Sequence, residues 1–289
     1  MTATHADGGS GPVRAARAEL RVERRRVVDE REAFRAFSAR VSSIPDESAN
    51  AGPSDPAAAD GFAGVGGAVG GAVGGSGGGA ASPGSRLVAV RDAYRATVMS
   101  VPHYETEYDD TYERSVAEEF GPELAYALTR TSRFHEEYKR SLLSAAETAV
   151  QEREAFLDAV ESEIESIERA GSRLDPIRSE IEAIEDELGA AGSEGGAEAE
   201  VETPGFGALD ACRTRTEALT DDCDRIAGRR QRVLADHRRR LALGDDLDLP
   251  AYCYQTLDVT YPVLAAVGAV GDRLESLRSR IERAMARGR

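Results

Sequence analysis

Apolar side chains recur every three or four residues along two long stretches of the chain, and this repeat limits the possible folds more than any other feature. The clearer stretch runs from Leu209 to His237 over four heptads, and a second lies within 133–188. Such spacing puts the apolar residues on one helix face, which is buried against another helix. No segment shows the sustained alternation of a half-buried strand. We therefore predict an all-α protein with a long antiparallel coiled-coil hairpin, whose arms span about 133–188 and 207–243.

The two arms differ in the regularity of their apolar stripes. In the first arm one stripe ends at Ile167, and the next begins at Leu174 in another phase. A stutter, kink or short break is therefore predicted between Gly171 and Pro176. In the second arm His237 falls on the stripe, and we interpret it as a core residue rather than a catalytic one.

Charge favours pairing of the two arms. From 151 to 188 thirteen acidic residues stand against four arginines, whereas from 225 to 241 seven arginines stand against one aspartate. Opposite charges beside the apolar stripe of a coiled coil select partner and register. An exposed ion pair contributes only about 0–1 kcal/mol, so we expect the apolar stripe to supply the stability.

Composition divides the rest of the chain. Between 61 and 80, 11 of the 20 residues are glycine, which indicates a flexible linker. The predicted parts are a disordered N-terminus at 1–12, an amphipathic helix at 13–45, a Gly/Ala/Pro linker at 46–84, and a helical domain at 85–289 with a last helix at about 262–287.

The tyrosines predict a second, smaller packing region. Tyr104, Tyr108 and Tyr112 are spaced four residues apart. On a continuous helix this spacing places all three side chains on one face. We therefore expect a Tyr-rich helical core separate from the long hairpin.

The balance of charged residues indicates the solvent. Lys139 is the single lysine beside 35 arginines, and 52 carboxylates bring the net charge to −16. Self-repulsion of such a chain is screened only by concentrated salt, which predicts a halophilic cytoplasm.

The three cysteines form no CxxC pair, which favours reduced thiols. No signal peptide core and no apolar run of about 20 residues occurs, so we expect a cytoplasmic protein without a membrane span.

One cluster has the residue types of a metal site. His103, Glu105, Glu107 and Asp109 lie close together in the sequence, and imidazole and carboxylate groups bind metals. However, no second histidine is near, and the repeated Glu-x-x-His motif of di-metal bundles is absent. A solvated acidic face is the simpler interpretation. We assign no catalytic, cofactor-binding or metal-ligating residue and expect no cofactor.

Arginine clusters raise the possibility of nucleic-acid binding. They lie at Arg24–Arg26, Arg229–Arg230 and Arg238–Arg240. Phosphate contacts need positive charge on one face. Such binding weakens steeply as salt rises, and the acidic arm offers the arginines an alternative partner. Nucleic acid is therefore an unfavoured partner.

Four stretches resemble one known family. They are YRATVMSVPHYETEYDDTY (94–112), EFGPELAYAL (119–128), HRRRL (237–241) and LPAYCYQTLDVTYPVLAAV (249–267). The chain resembles, over about 13–45 and 86–287, a haloarchaeal family of uncharacterised helical proteins, a domain of unknown function. The resemblance implies a haloarchaeal source and an all-α fold, and it supplies no catalytic residue.

Three functions stay open at this point. The first is a non-enzymatic helical interaction or scaffold protein, which pairs with itself or another protein through its coiled-coil surfaces. The second is a nucleic-acid-associated regulator that uses the arginine clusters. The third is a metal or small-molecule site near His103. Long heptad stripes without a catalytic motif favour the first.

Overall fold

The computed structural model describes residues 11–45, 84–190, 205–241 and 248–287, and these residues form helices without any strand. The bounds are Gly11–Ser43 (α1), Ser85–Arg95 (α2), Tyr104–Glu107 (α3), Tyr112–Phe120 (α4), Pro122–Arg130 (α5), Glu136–Ala190 (α6), Phe206–Leu241 (α7), Leu249–Cys253 (α8) and Pro262–Arg287 (α9), with a 3-10 turn at Val98–Ser100. The all-α prediction is confirmed for this part of the chain. The predicted linker at 46–84 lies outside the described residues apart from Gly84.

The chain forms two compact units. The larger unit comprises Met1–Val27 and Ala155–Arg289, and the smaller one comprises Val28–Glu154. Each unit has its own apolar core.

In the larger unit α6 runs antiparallel to both α7 and α1. Arg215 contacts Glu180 at 2.7 Å, and farther along α7 Arg230 contacts Glu163. The residue number of the partner on α6 therefore decreases as the residue number on α7 increases. The ion pairs between α1 and α6 show the same opposite order of residue numbers. The core contains buried apolar residues of α1, α6, α7, α8 and α9. A long antiparallel helix pair is thus present, whereas its supercoiling stays a prediction.

Helix α6 continues without interruption through Pro176. Its buried positions keep one alternating spacing of three and four residues: Val160, Glu163, Ile167, Ala170, Leu174, Ile177, Ile181 and Ile184. The predicted phase slip is wrong, because the core includes Glu163 and Ala170, which an apolar pattern of large side chains omits. Pro176 is exposed, and the neighbouring helices hold α6 together despite the amide hydrogen that proline lacks.

The core of the smaller unit is rich in aromatic rings. Tyr94 packs edge-on against Phe37, Tyr112 and Phe120, with centroids 5.3–5.8 Å apart. Its hydroxyl group pairs with the Ser115 hydroxyl at 2.9 Å, which satisfies a buried polar group. A separate core containing tyrosine is therefore present, although phenylalanine contributes equally to it.

The three tyrosines predicted to share one helix face do not do so. Helix α3 ends at Glu107, and Asp109 adopts a left-handed conformation with φ of 45°. The Thr111 side chain then caps the start of α4 by accepting a hydrogen bond from the Arg114 amide. Because of this turn Tyr104 and Tyr112 are buried, whereas Tyr108 is 44% exposed.

The single lysine has a structural contact. Lys139 Nζ donates hydrogen bonds to the carbonyl oxygens of Ser42 and Ile44, at 3.0 and 2.7 Å. These carbonyls lie at the end of α1, where backbone acceptors lack helical partners and a cation is favourable. A compact ammonium group can serve both acceptors at once.

Candidate functional site

A buried ionic network lies between α6, α7 and α8 in the larger unit. Glu163 on α6 and Arg230 on α7 are 0% and 1% exposed at their side chains. They form a two-pronged pair, in which Nη1 donates to Oε2 at 2.7 Å and Nη2 donates to Oε1 at 2.5 Å. Each residue occupies a core position of its helix, so the helix packing itself brings the charges together.

Three further side chains complete the network. The Tyr254 hydroxyl donates to Glu163 Oε1 at 2.5 Å, and Arg230 Nη1 also donates to the Ser166 hydroxyl at 3.1 Å. His237, one of the predicted core positions, is 2% exposed, and its Nε2 lies 3.1 Å from the Ser162 hydroxyl. Its role as a core residue is confirmed.

Burial controls the titration of these groups. Burial lowers the pKa of His237 below its ordinary value, and this outweighs the opposite effect of the Glu163 carboxylate. Burial and the same carboxylate raise the pKa of the Tyr254 hydroxyl above its ordinary value. At neutral pH the network therefore contains a neutral imidazole, a neutral phenol and one compensated ion pair.

The network is suited to specifying helix register rather than to nucleophilic chemistry. A buried ion pair is strongly destabilised when one partner is lost, so only the register that joins Glu163 to Arg230 is acceptable. Two nitrogen atoms remain without a hydrogen-bond partner, Arg230 Nε and His237 Nδ1. The latter is 3.5 Å from Glu163 Oε2.

The cysteines do not form a reactive site. Cys212, Cys223 and Cys253 are all buried free thiols, as the sequence predicts for reduced cysteines. Burial raises the pKa of each thiol above its ordinary value. The thiolate, which is the nucleophile and the metal ligand, is therefore disfavoured.

A second polar cluster surrounds Glu30 in the smaller unit. Glu30 Oε1 contacts His103 Nε2 at 3.0 Å and accepts a hydrogen bond from the Tyr108 hydroxyl at 3.0 Å. Arg153 connects Glu30 to Glu119, at 3.2 and 2.6 Å. Burial raises the pKa of Glu119 even though Arg153 opposes the shift. These residues, except His103, line a pocket of about 370 Å³ together with aromatic and aliphatic side chains.

The residues predicted as possible metal ligands do not converge. The His103 ring contacts Glu30, whereas Glu105, Glu107 and Asp109 are exposed. Across residues 11–45, 84–190, 205–241 and 248–287, no group of three or more potential ligands is placed to hold a metal ion. The metal alternative of the third functional hypothesis thus has no converging ligands among the described residues, whereas the small-molecule alternative stays a prediction.

The arginine clusters have different environments. Arg24 pairs with Glu161 at 2.8 Å, and Arg26 lies 3.6 Å from Glu23. Arg230 is buried with Glu163, and Arg239 pairs with Asp236 on its own helix. Among the described residues, the arginines of α7 that pair with α6 are therefore Arg215 and Arg230, while other acids of α6 pair with α1 and α9.

Three of the remaining arginines of α7 form an exposed basic surface. Arg229, Arg232 and Arg240 are exposed, and none forms an ion pair with a residue that the structure describes. At 100° per residue they lie within about 80° of one another around the helix, on a side that adjoins the buried stripe. We call these three residues the α7 basic face.

Sequence patterns identified His237 but missed Glu163 and Tyr254. Glu163 is preceded by Val160 and followed by Ile167 at core spacing, and that spacing was the available signal. A buried glutamate is rare unless paired, so an apolar pattern favours the next residue, Ile164, for the core position. Nothing in the sequence near Tyr254 indicates its partner, which is 91 residues away.

Comparisons with known proteins identify one family. A family model described as a domain of unknown function (DUF7260) matches residues 11–278. No curated protein and no solved structure matches the chain.

Proposed function

Because the chain belongs to the DUF7260 family, a domain of unknown function, we propose its role from its own structure: a non-enzymatic helical interaction or scaffold protein. The observation that carries this proposal is the α7 basic face. It presents three cations that form no ion pair with a described residue, beside the packed side of a long helix. The partner is a protein surface with carboxylates, and a second copy of this acidic chain is one such partner.

The solvent proposed for this association is a haloarchaeal, salt-rich cytoplasm. A net charge of −16 with a single lysine supports it, as does the resemblance of four sequence stretches to haloarchaeal proteins. At about 1 M salt the Debye length is roughly 3 Å. Only cations in direct contact with a partner then contribute, and arginine makes the two-pronged contacts with carboxylates that remain effective at such range.

Affinity capture in potassium chloride of about 2 M, where diffuse attraction is screened, tests the proposal. The test variant replaces all three residues of the α7 basic face with glutamine. The control carries the same charge change at Arg25, Arg130 and Arg280, which are exposed and form no ion pair with a described residue. We expect the full-length chain and the control to retain a protein partner that the test variant loses. Equal retention by both variants would contradict the role of this surface.

A nucleic-acid-associated regulator is the second candidate. The observation in its favour is that Arg229, Arg238 and Arg240 form no ion pair with described residues, so the acidic arm leaves them available. Counterion release nevertheless weakens phosphate contacts in concentrated salt. Retardation of duplex DNA at about 2 M KCl, lost on substitution of Arg238 and Arg240, would favour this candidate over the first.

A further inference from the structure

A groove beside the buried ion pair carries an unusual excess of positive charge. It lies between α6 and α7 in the larger unit and is open to solvent, with a space of about 320 Å³ that includes the solvent at its mouth. Helix α6 contributes Ser166, Arg169 and Arg173, and α7 contributes Arg229 and Arg230, together with three small or aliphatic side chains. On each helix the lining positions follow the spacing i, i+3, i+4 and i+7, so both helices present a continuous face to the groove.

No acidic side chain lines this groove. Arg169 is paired with Glu165, which lies on the same helix outside the groove. Neither Arg173 nor Arg229 forms an ion pair with a residue in the described part of the chain. Four arginines thus line one groove in a protein with a net charge of −16.

The buried arginine provides a second, independent observation. Arg230 is 2% exposed, and its Nε has no hydrogen-bond partner although both of its terminal nitrogens donate to Glu163. An unsatisfied buried donor costs free energy, and Arg230 also lines the groove. An acceptor bound there would remove this cost.

We propose that the groove binds a small oxyanion of the phosphate or sulfate class. Guanidinium groups match tetrahedral oxyanions because they donate two parallel hydrogen bonds. The Ser166 hydroxyl adds a neutral donor, and the aliphatic lining lowers the local dielectric constant, which strengthens the attraction. The groove shares Arg229 with the α7 basic face but differs from it in Arg169 and Arg173, which belong to α6.

Titration calorimetry of the full-length protein with inorganic phosphate tests this proposal. The background is about 2 M KCl, so that diffuse attraction is screened. We expect saturable binding with one phosphate per chain. Arg173→Gln and Arg229→Gln should each weaken it by about tenfold or more, as expected for loss of a charge-assisted contact. Arg173 lies off the α7 basic face, so its effect reports on the groove and not on the partner surface.

Arg232→Gln is the matched control, because Arg232 is exposed on α7 and unpaired among described residues but does not line the groove. It should change phosphate affinity by less than about twofold, the scale of a general charge effect under strong screening. The proposal is overturned if phosphate shows no saturation, or if Arg232→Gln weakens binding as much as Arg173→Gln. A repeat in potassium glutamate, which contains no chloride, tests whether chloride competes with phosphate. Phosphate binding seen only without chloride would identify a halide site and also overturn the proposal.

Discussion

Removing one partner of the buried Glu163–Arg230 pair should destabilise the larger unit severely. Both side chains are almost fully excluded from water, at 0% and 1% exposure. In Glu163→Gln the guanidinium group keeps its burial but loses its counter-charge, and in Arg230→Met the carboxylate is left with the Tyr254 hydroxyl. Breaking a buried pair in this way costs about 3–5 kcal/mol.

This cost is measurable by denaturant and thermal unfolding. It corresponds to a decrease of about 150- to 5,000-fold in the folding equilibrium constant. With a shift of about 2–4 °C per kcal/mol for a domain of this size, the melting temperature should fall by between about 6 and 20 °C. Far-UV circular dichroism reports the loss directly, because the described residues are helical.

Glu161 and Arg24 provide a matched control. Glu161 lies on the same helix α6 and forms an ion pair at 2.8 Å with Arg24 of α1, but each side chain is 49% exposed. Glu161→Gln and Arg24→Met should each cost no more than about 1 kcal/mol. If the Glu163 and Arg230 variants lost no more stability than these controls, the reasoning about burial would be refuted.

The double variant Glu163→Leu/Arg230→Met separates stability from register. Replacing a whole buried pair by apolar side chains is often neutral or stabilising. We expect the double variant to recover most of the stability lost by either single variant. A loss equal to the sum of the two single losses would show that the charges are not coupled.

Four further predictions concern other parts of the chain. Because the pKa of His237 is lowered in the folded state, unfolding takes up a proton below pH about 6.5. The free energy of unfolding should therefore decrease as the pH falls from 7.5 to about 5.5. This decrease should be smaller in His237→Gln than in a control variant at exposed His135. The three buried cysteines should react with a thiol reagent only on unfolding, and a fast reaction in the native protein would contradict their burial. Gly171→Ala should stabilise α6 by about 0.5–1 kcal/mol in urea unfolding, because the added methyl group would lie 3.5 Å from Val13 Cγ1, an ordinary contact. The melting temperature should rise with KCl from about 0.1 to 3 M, beyond ordinary screening, whereas a flat profile would contradict the halophilic interpretation.

The heptad spacing was sufficient to predict the long helices. The last helix was expected at 262–287 and is observed at Pro262–Arg287, and the second arm was expected at 207–243 and is observed at Phe206–Leu241. Regular apolar spacing succeeds there because burial of one helix face determines the structure. It also placed His237 in the core, where it is found.

Sequence spacing failed where a tertiary contact reverses a local preference. The charge of Glu163 predicts a surface position, and its burial depends on pairing with Arg230, which lies 67 residues away. Tyr108 is separated from the helix face of Tyr112 by the left-handed turn at Asp109, which a four-residue spacing cannot reveal. Average charge along the arms likewise could not show which arginines remain unpaired, because α6 is shared between α1, α7 and α9.

Cross-linking from the α7 basic face tests the central claim most directly. A photoreactive residue placed at Arg232, in full-length protein at about 2 M KCl where only direct contacts persist, should form a covalent adduct with one protein, either a second copy or another chain. The same residue at exposed Arg130 in the smaller unit should form no such adduct. Identical adducts from both positions, or adducts with nucleic acid alone, would contradict the account of this chain as a helical interaction protein.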